Sequence, residues 1–353
     1  MKKLNKLAAA AMAVVMAASL TACGGSSAST GESSAAAATE SAATEAAAPA
    51  AEDGKTYNVG ICQLVQHPAL DAATQGFKDA LTAELGDAVK FDEQNAAGDS
   101  ATCSTIVNSF VSENVDLILA NATPALQAAS SATGDIPVLG TSITEYGVAL
   151  DIADFNGTVG TNVSGTSDLA PLDQQAAMFA ELLPDAKKIG IMYCSAEANS
   201  KYQANVVKEA LEAAGDTVTV YTFADSNDVA SVTQTACDEN DALYIPTDNT
   251  AAACTEAIQN VALPAKTPII AGEEGIVAGC GLAALTIDYY GLGEKTGQMA
   301  AKILKGEANV AEMPIEYYDN PVKKYNAANA EALGITIPDG YEPIATEEES
   351  TEE

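Results

Sequence analysis

The chain has no arginine, no tryptophan and a single histidine, and its seven cysteines include no C-x-x-C pair. Without arginine there is no planar guanidinium fork, so an anionic ligand group has to be held by backbone N–H groups, hydroxyls or lysine. One histidine and widely spaced thiols give no metal-ligand pattern. Basic residues are scarce as well: 16 lysines face 49 acidic residues, a formal net charge of −33. That charge excludes nucleic-acid binding, which requires a basic surface. No serine occupies a G-x-S-x-G turn. His67, just before Pro68, reads as a helix-opening or cleft-wall residue rather than a catalytic base. Gly291 to Thr296 lacks the glycine that a phosphate loop sets directly before its lysine, since Glu294 stands there. The expectation is a protein without catalysis, cofactor or metal.

The first residues read as a targeting segment. Lys2, Lys3 and Lys6 precede an apolar run from Leu7 to Leu20, which is too short to span a bilayer stably. The run ends in Leu20-Thr21-Ala22-Cys23, the pattern cleaved before a lipid-modified cysteine, so residues 1–22 are expected to be a lipoprotein signal and Cys23 the lipidation site. Residues 23–54, rich in Ser, Ala, Thr and Glu, bury too little to offset their ordering entropy and read as a disordered tether with a reach of roughly 30 Å. Residues 343–353 form an acidic tail.

Between these ends, short apolar runs alternate with amphipathic stretches, the pattern of βα units around parallel sheets. Strands are expected at 57–64, 89–94, 115–120 and 136–140, and again at 188–193, 217–223, 242–246, 267–271 and 282–286. Landmarks recur in order: Val59-Gly60-Ile61 with Ile189-Gly190-Ile191, Asp116-Leu117-Ile118 with Asp241-Ala242-Leu243, and Ile136-Pro137-Val138 with Thr267-Pro268-Ile269. The fold class is therefore α/β, with two similar Rossmann-like lobes whose parallel sheets are joined by a multi-strand hinge. Lobe 1 is assigned 55–160 with part of 284–318, and lobe 2 is assigned 161–283 with part of 319–342. Extended segments at 314–318 and 335–338 carry the chain back between lobes. Cys62, Cys103, Cys194, Cys237, Cys254 and Cys280 fit buried thiols and disulfides equally well.

Ligands of open parallel sheets bind beyond the carboxyl ends of the strands. Here those positions are small and polar. Thr123 and Pro124 open a helix whose N-terminus is the best seat for a carboxylate in a chain without arginine, while also suiting a simple cap. Asp248 and Glu273 are candidates for a ligand ammonium, with helix capping as the competing reading.

Val59-Gly60-Ile61-Cys62-Gln63-Leu64-Val65-Gln66-His67-Pro68-Ala69-Leu70-Asp71 resembles the opening motif of tryptophan/tyrosine-type ABC transporter substrate-binding proteins. Asn121 to Pro124, Tyr244 to Asn249 and Ile287 to Gly293 are similar to further stretches of that family. The resemblance implies a type I periplasmic-binding-protein fold, no cofactor, and an amino acid ligand, often aromatic. It implies an ABC permease and its ATPase as partners, and a cell-membrane location, lipid-anchored on the extracytoplasmic side. It also places Gln63, Thr123, Ser142, Ser195, Asp248 and Asp288 at or near the cleft. The chain departs from the family at Gly140 before Thr141, at Glu145-Tyr146 and at Gly272-Glu273-Glu274. Tyr146, Tyr193 and Tyr202 suit stacking walls and scaffold positions alike. A ligand-sensing module for a membrane receptor, or a nucleoside or sugar binder, is the alternative function.

Overall fold

Strands buried on both faces carry near-continuous apolar or small residues, and that is how the central segments here behave. Leu117–Asn121 and Val138–Ile143 are buried at every position. The computed structural model describes residues 55–318 and 320–344. The expected leader, the tether with Cys23, and residues 345–353 of the tail lie outside them.

The order is β1 (Tyr57–Gln63), α1 (Pro68–Leu85), β2 (Val89–Asn95), α2 (Ser100–Glu113), β3 (Leu117–Asn121), α3 (Thr123–Ala132), β4 (Val138–Ile143), α4 (Tyr146–Ala149) and β5 (Val163–Ser167). The second set is α5 (Leu172–Leu182), β6 (Lys188–Cys194), α6 (Ala198–Ala214), β7 (Thr217–Phe223), α7 (Val229–Glu239), β8 (Ala242–Ile245), α8 (Asn249–Ala252), α9 (Thr255–Ala265), β9 (Ile269–Ala271), α10 (Glu274–Gly279) and β10 (Ala283–Thr286). Then come α11 (Tyr289–Leu304), β11 (Glu316–Tyr317), β12 (Val322–Tyr325), α12 (Ala327–Leu333) and β13 (Glu342–Pro343).

One sheet runs β11-β5-β4-β3-β1-β2 and the other β13-β12-β10-β9-β8-β6-β7. The stretches β2-β1-β3-β4-β5 and β7-β6-β8-β9-β10 have the same order, so the lobes are topological sisters. Pairings among the described strands are parallel except that of β10 with β12. Apolar clusters cover both faces of each sheet.

The lobe boundary differs from the expected 160/161 division. Val163–Ser167 has one large apolar residue, so it carries no apolar run, yet it is fully buried and pairs with β4 in the first sheet. A close approach explains its composition: a Cβ on Gly165, at φ +142°, would strike the Gly140 backbone and the Tyr146 hydroxyl. The chain leaves lobe 1 only after Ser167. It returns between β10 and α11, and leaves again between β11 and β12. The expected segment at 314–318 contains β11, whereas 335–338 is not a strand. The Ile335 N–H there is taken by Ala330 O at the end of α12, and Pro338 has no N–H to give.

Helix α11 packs on α1 through backbone-close contacts. A Cβ on Gly293 would meet the Ala73 carbonyl, and one on Gly76 the Tyr290 carbonyl. These glycines allow α11 to join lobe 1 as a tightly seated part of it.

Candidate functional site

The carboxyl ends of both sheets face each other across a cleft, and the polar residues there are buried. In lobe 1 they include His67, Asn121, Thr123, Ser142, Thr144 and Asp168. In lobe 2 they include Glu197, Asn199, Gln203, Asp248, Asn249 and Glu273. Two side-chain hydrogen bonds cross between the lobes among the described residues. His67 Nε2 lies 3.2 Å from Asn249 Oδ1, and Gln203 Nε2 donates to Thr144 Oγ1 at 3.4 Å. A cavity of about 620 Å³ opens on one side of the cleft, lined from both lobes by Leu64, Val65, Pro124, Glu197, Thr250 and Cys254 among others.

Buried polar atoms are nearly always partnered, so exceptions carry information. Among the described residues the unpartnered ones are His67 Nδ1, Asn121 Oδ1, Ser142 Oγ, Asp168 Oδ1 and Asn199 Oδ1. Four of them belong to residues at strand ends or the following loops, and Asn199 stands in the first turn of α6. Two of the seven described non-glycine residues with positive φ stand at the same place. Ala122, between β3 and α3, has φ +86° and ψ 156°, a region that glycine alone adopts easily, and Ser142 has φ +56°. Each costs of order 1–3 kcal/mol and persists only where the surroundings hold it.

Asp168 follows β5 and holds the most informative carboxylate. Tyr289 Oη donates to its Oδ2 at 3.1 Å, while Oδ1 has no partner. Burial pushes its pKa up to about 6, against the opposing influence of the nearby Thr144 and Tyr289 hydroxyls. None of the described ion pairs involves Asp168, Glu197, Asp248 or Glu273. A buried, half-satisfied carboxylate with no protein cation is stabilised by a cation from outside.

The residues expected from the sequence divide clearly. Ser142 and Thr123 stand at the cleft. Thr123 opens α3 with Pro124 beside it, and its hydroxyl makes no hydrogen bond to a described residue. The other five are engaged in holding the scaffold. Gln63 is buried but fully occupied: Nε2 donates to Val65 O and Asp71 Oδ1, and Oε1 accepts from Thr74. Ser195 is exposed and turned to β7, with its hydroxyl on Phe223 O. Asp288 is an exposed cap of α11.

Asp248 and Glu273, the expected ammonium seats, have both oxygens taken. Asp248 accepts Ala251 N at 2.8 Å and Cys194 N at 2.7 Å, which ties β8 to β6. Burial and the neighbouring Glu197 raise its pKa. Glu273 caps α10 through the N–H groups of Gly275 and Ile276. Burial, with Glu274 and Asp168 adding, pushes its pKa up to about 7. Capping, the competing reading in both cases, describes what these carboxylates do.

Tyr146 is scaffold, its hydroxyl bonded to Gly140 O and Thr166 O. Tyr193 packs in a lobe 2 core cluster. Tyr202 is half-buried on α6 beside the same cluster. The six cysteines are free thiols, five of them buried. Asp168 escaped the sequence reading, while Asn199, Asn249 and Tyr289 lie in stretches it marked without being singled out. Asp168 was hidden because β5 itself carries no apolar run; the turn Asp168-Leu169-Ala170-Pro171 before a helix was the one available signal.

Paired Rossmann-like lobes, closing on polar strand ends and joined by three chain crossings, define a type I periplasmic binding protein. The profile of the family described as ABC transporter substrate binding protein matches residues 58–348, and the chain belongs to that family. It is 38% identical over 284 residues to a "Tyrosine-binding protein" of Clostridioides difficile (strain R20291), covering 80% of this chain and 82% of that one. An ABC domain from Streptococcus pneumonia solved in complex with L-Trp is 34% identical, with TM-score 0.78, covering 82% of this chain and all of the other. A ligand-free, open substrate-binding protein with adhesive properties from Clostridium difficile is 38% identical but has TM-score 0.63, covering 83% and 100%. Higher identity with lower superposition is what a difference in lobe angle produces. The chain superposes better on the L-Trp complex than on the ligand-free, open structure.

Proposed function

We propose that the chain is the lipid-anchored, extracytoplasmic solute-binding subunit of an ABC importer, and that its ligand is an α-amino acid with an aromatic side chain. The observation that carries the ligand class is Asp168 Oδ1, buried and without a partner, with none of the described lysines paired to Asp168, Glu197, Asp248 or Glu273. An ammonium group there would donate to Oδ1 and join Tyr289 in satisfying the carboxylate. The carboxylate of the same ligand would meet the N-terminus of α3 at Thr123 and the free hydroxyl of Ser142. The tyrosine-binding and L-Trp-bound relatives support an aromatic side chain.

A ligand that bridges both lobes stabilises the closed form by its differential affinity, and the closed form is what a permease with its ATPase would receive. Anchoring at Cys23 is supported by the Leu20-Thr21-Ala22-Cys23 sequence. The test is calorimetric titration of the protein from residue 55 onward with the twenty amino acids, nucleosides and sugars. Saturable binding of aromatic amino acids is the expected result, and binding of a sugar or nucleoside alone would overturn the ligand class. For the anchor, wild type should partition with membranes and Cys23→Ser should not; equal partitioning would overturn it.

A further inference from the structure

His67 is the one histidine of the chain, and only 6% of its surface is exposed. Its contact with Asn249 fixes which ring nitrogen carries the proton, because Asn249 is itself fixed by Glu197. The side-chain nitrogen of Asn249 donates to Glu197 Oε2 at 2.6 Å, and its backbone N–H donates to the same oxygen at 3.0 Å. The other oxygen, Oε1, accepts the N–H and the hydroxyl of Thr250, both at 2.9 Å. Each oxygen of Glu197 thus accepts a backbone N–H, so the carboxylate acts here as an acceptor, and turning the Asn249 amide over would set two oxygens against each other. Oδ1 of Asn249 therefore faces His67, and Nε2 must be the protonated nitrogen. Burial lowers the His67 pKa, against the opposing influence of Asn249, Glu197 and Asp71, and favours the neutral ring. Nδ1 is then a bare acceptor, buried and without a partner.

The remaining unpartnered atoms give this acceptor its meaning. Asn121 Oδ1, Asp168 Oδ1 and Asn199 Oδ1 are acceptors too, and Ser142 Oγ is the only hydroxyl among the five. A primary ammonium offers three N–H donors. Three N–H donors cannot fill four acceptors, and a ligand whose side chain brings a further donor leaves fewer of them unpaired.

Resting on the amino acid reading above, we propose that His67 Nδ1 is a specificity-determining acceptor for a side-chain donor of the ligand, a phenolic O–H or an indole N–H. The cleft then selects tyrosine and tryptophan over phenylalanine, whose ring would leave the acceptor buried and unpaired. Sites built to hydrogen-bond a substrate hydroxyl reject the analogue lacking it far more strongly than a methylene difference allows.

The single histidine makes the test direct. In protein with ¹⁵N-labelled histidine, two-bond ¹H–¹⁵N spectra without ligand should show the neutral tautomer protonated on Nε2. Saturating tyrosine or tryptophan should shift the Nδ1 resonance toward that of a hydrogen-bonded nitrogen, and phenylalanine should not. Titration calorimetry should give phenylalanine a Kd at least about tenfold weaker than tyrosine. A folded His67→Phe variant, checked by circular dichroism, should bring that ratio close to one. Equal affinities for tyrosine and phenylalanine in the wild type, or protonation on Nδ1, would overturn the proposal while leaving the amino acid reading intact. Failure of all three amino acids to bind, with the Nε2 tautomer observed, would instead sink the amino acid reading and this proposal with it.

Discussion

Tyr289 Oη and Asp168 Oδ2 are 3.1 Å apart, which joins the first chain crossing between the lobes to the residue that opens α11 just after the second. Asp168 is thus at once a hinge residue and the carboxylate with a free oxygen in the cleft. A cation on Oδ1 would be sensed where the lobes pivot. Coupling between ligand capture and closure would then need no relay beyond one carboxylate and one tyrosine.

Replacing Asp168 with Asn keeps the shape and removes the charge. Losing the partner of a buried ammonium costs about 2–5 kcal/mol, so the Kd for the amino acid ligand should rise roughly 30-fold or more. The unliganded variant should melt no lower than wild type, since it is relieved of burying an anion. Calorimetry and a thermal melt on the same sample check both halves, and an unchanged Kd would remove Asp168 from the site.

Asp168 and Glu273 also set a pH dependence. Their folded pKa values are pushed up to about 6 and about 7 by burial, above ordinary values of about 3.9 and 4.3. A raised folded pKa means the folded state favours the protonated form. The resulting stability is fully present below about pH 4 and is lost as pH rises through 6 and 7. Asp99 and Asp241 work in the opposite direction, held low by backbone N–H donors, but titrate below this window; His67, its pKa lowered by burial, opposes the trend inside it as one group against two. The unliganded melting temperature should therefore fall between about pH 4 and pH 7. Affinity for a cationic ligand should tighten over the upper part of that range, as Asp168 ionises. Melts and titrations at matched ionic strength read the two slopes, which must have opposite signs.

How much of this was legible beforehand follows from how each residue does its work. The β-strands with apolar runs and the helices with clear caps were visible because burial and periodicity write themselves into local sequence. β5 was not, since Gly165 is there for a backbone approach to Gly140 that only the tertiary fold creates. Thr123 and Ser142 stand at the strand ends, where local sequence alone could place them. Asp248 and Glu273 were assigned to the ligand because sequence reveals a carboxylate at a strand end but not where its oxygens point. Asp168 was overlooked for the converse reason: its importance lies in one unpaired oxygen, a property of three-dimensional surroundings.

That distinction yields a contrast between two aspartates. Asp248→Ala would orphan two buried backbone N–H groups, on Ala251 and Cys194. The expected cost is about 2–4 kcal/mol of folding stability. Ligand affinity, measured well below the lowered melting temperature, should change far less than in Asp168→Asn. A variant of normal stability with abolished binding would return Asp248 to the ligand.

Gly293 tests whether α11 truly belongs to the rigid part of lobe 1. Glycine inside a helix normally costs about 1 kcal/mol relative to alanine, so Gly→Ala is usually stabilising. At Gly293 the added methyl would strike the Ala73 carbonyl of α1, a backbone atom that cannot rotate aside. Gly76 and Gly297 put the same constraint on the flanking turns, against Tyr290 O and Phe77 O. Forcing the helices apart should destabilise the protein by about 1–3 kcal/mol, reversing the usual sign. Urea unfolding measures it. Gly306→Ala makes a poor control because its φ is +73°, whereas Gly134→Ala, with open space around its Cβ position, supplies a proper one. If Gly293→Ala is as stable as wild type, the two helices are free to slide, and α11 cannot transmit the Tyr289 contact to lobe 1 as a rigid element.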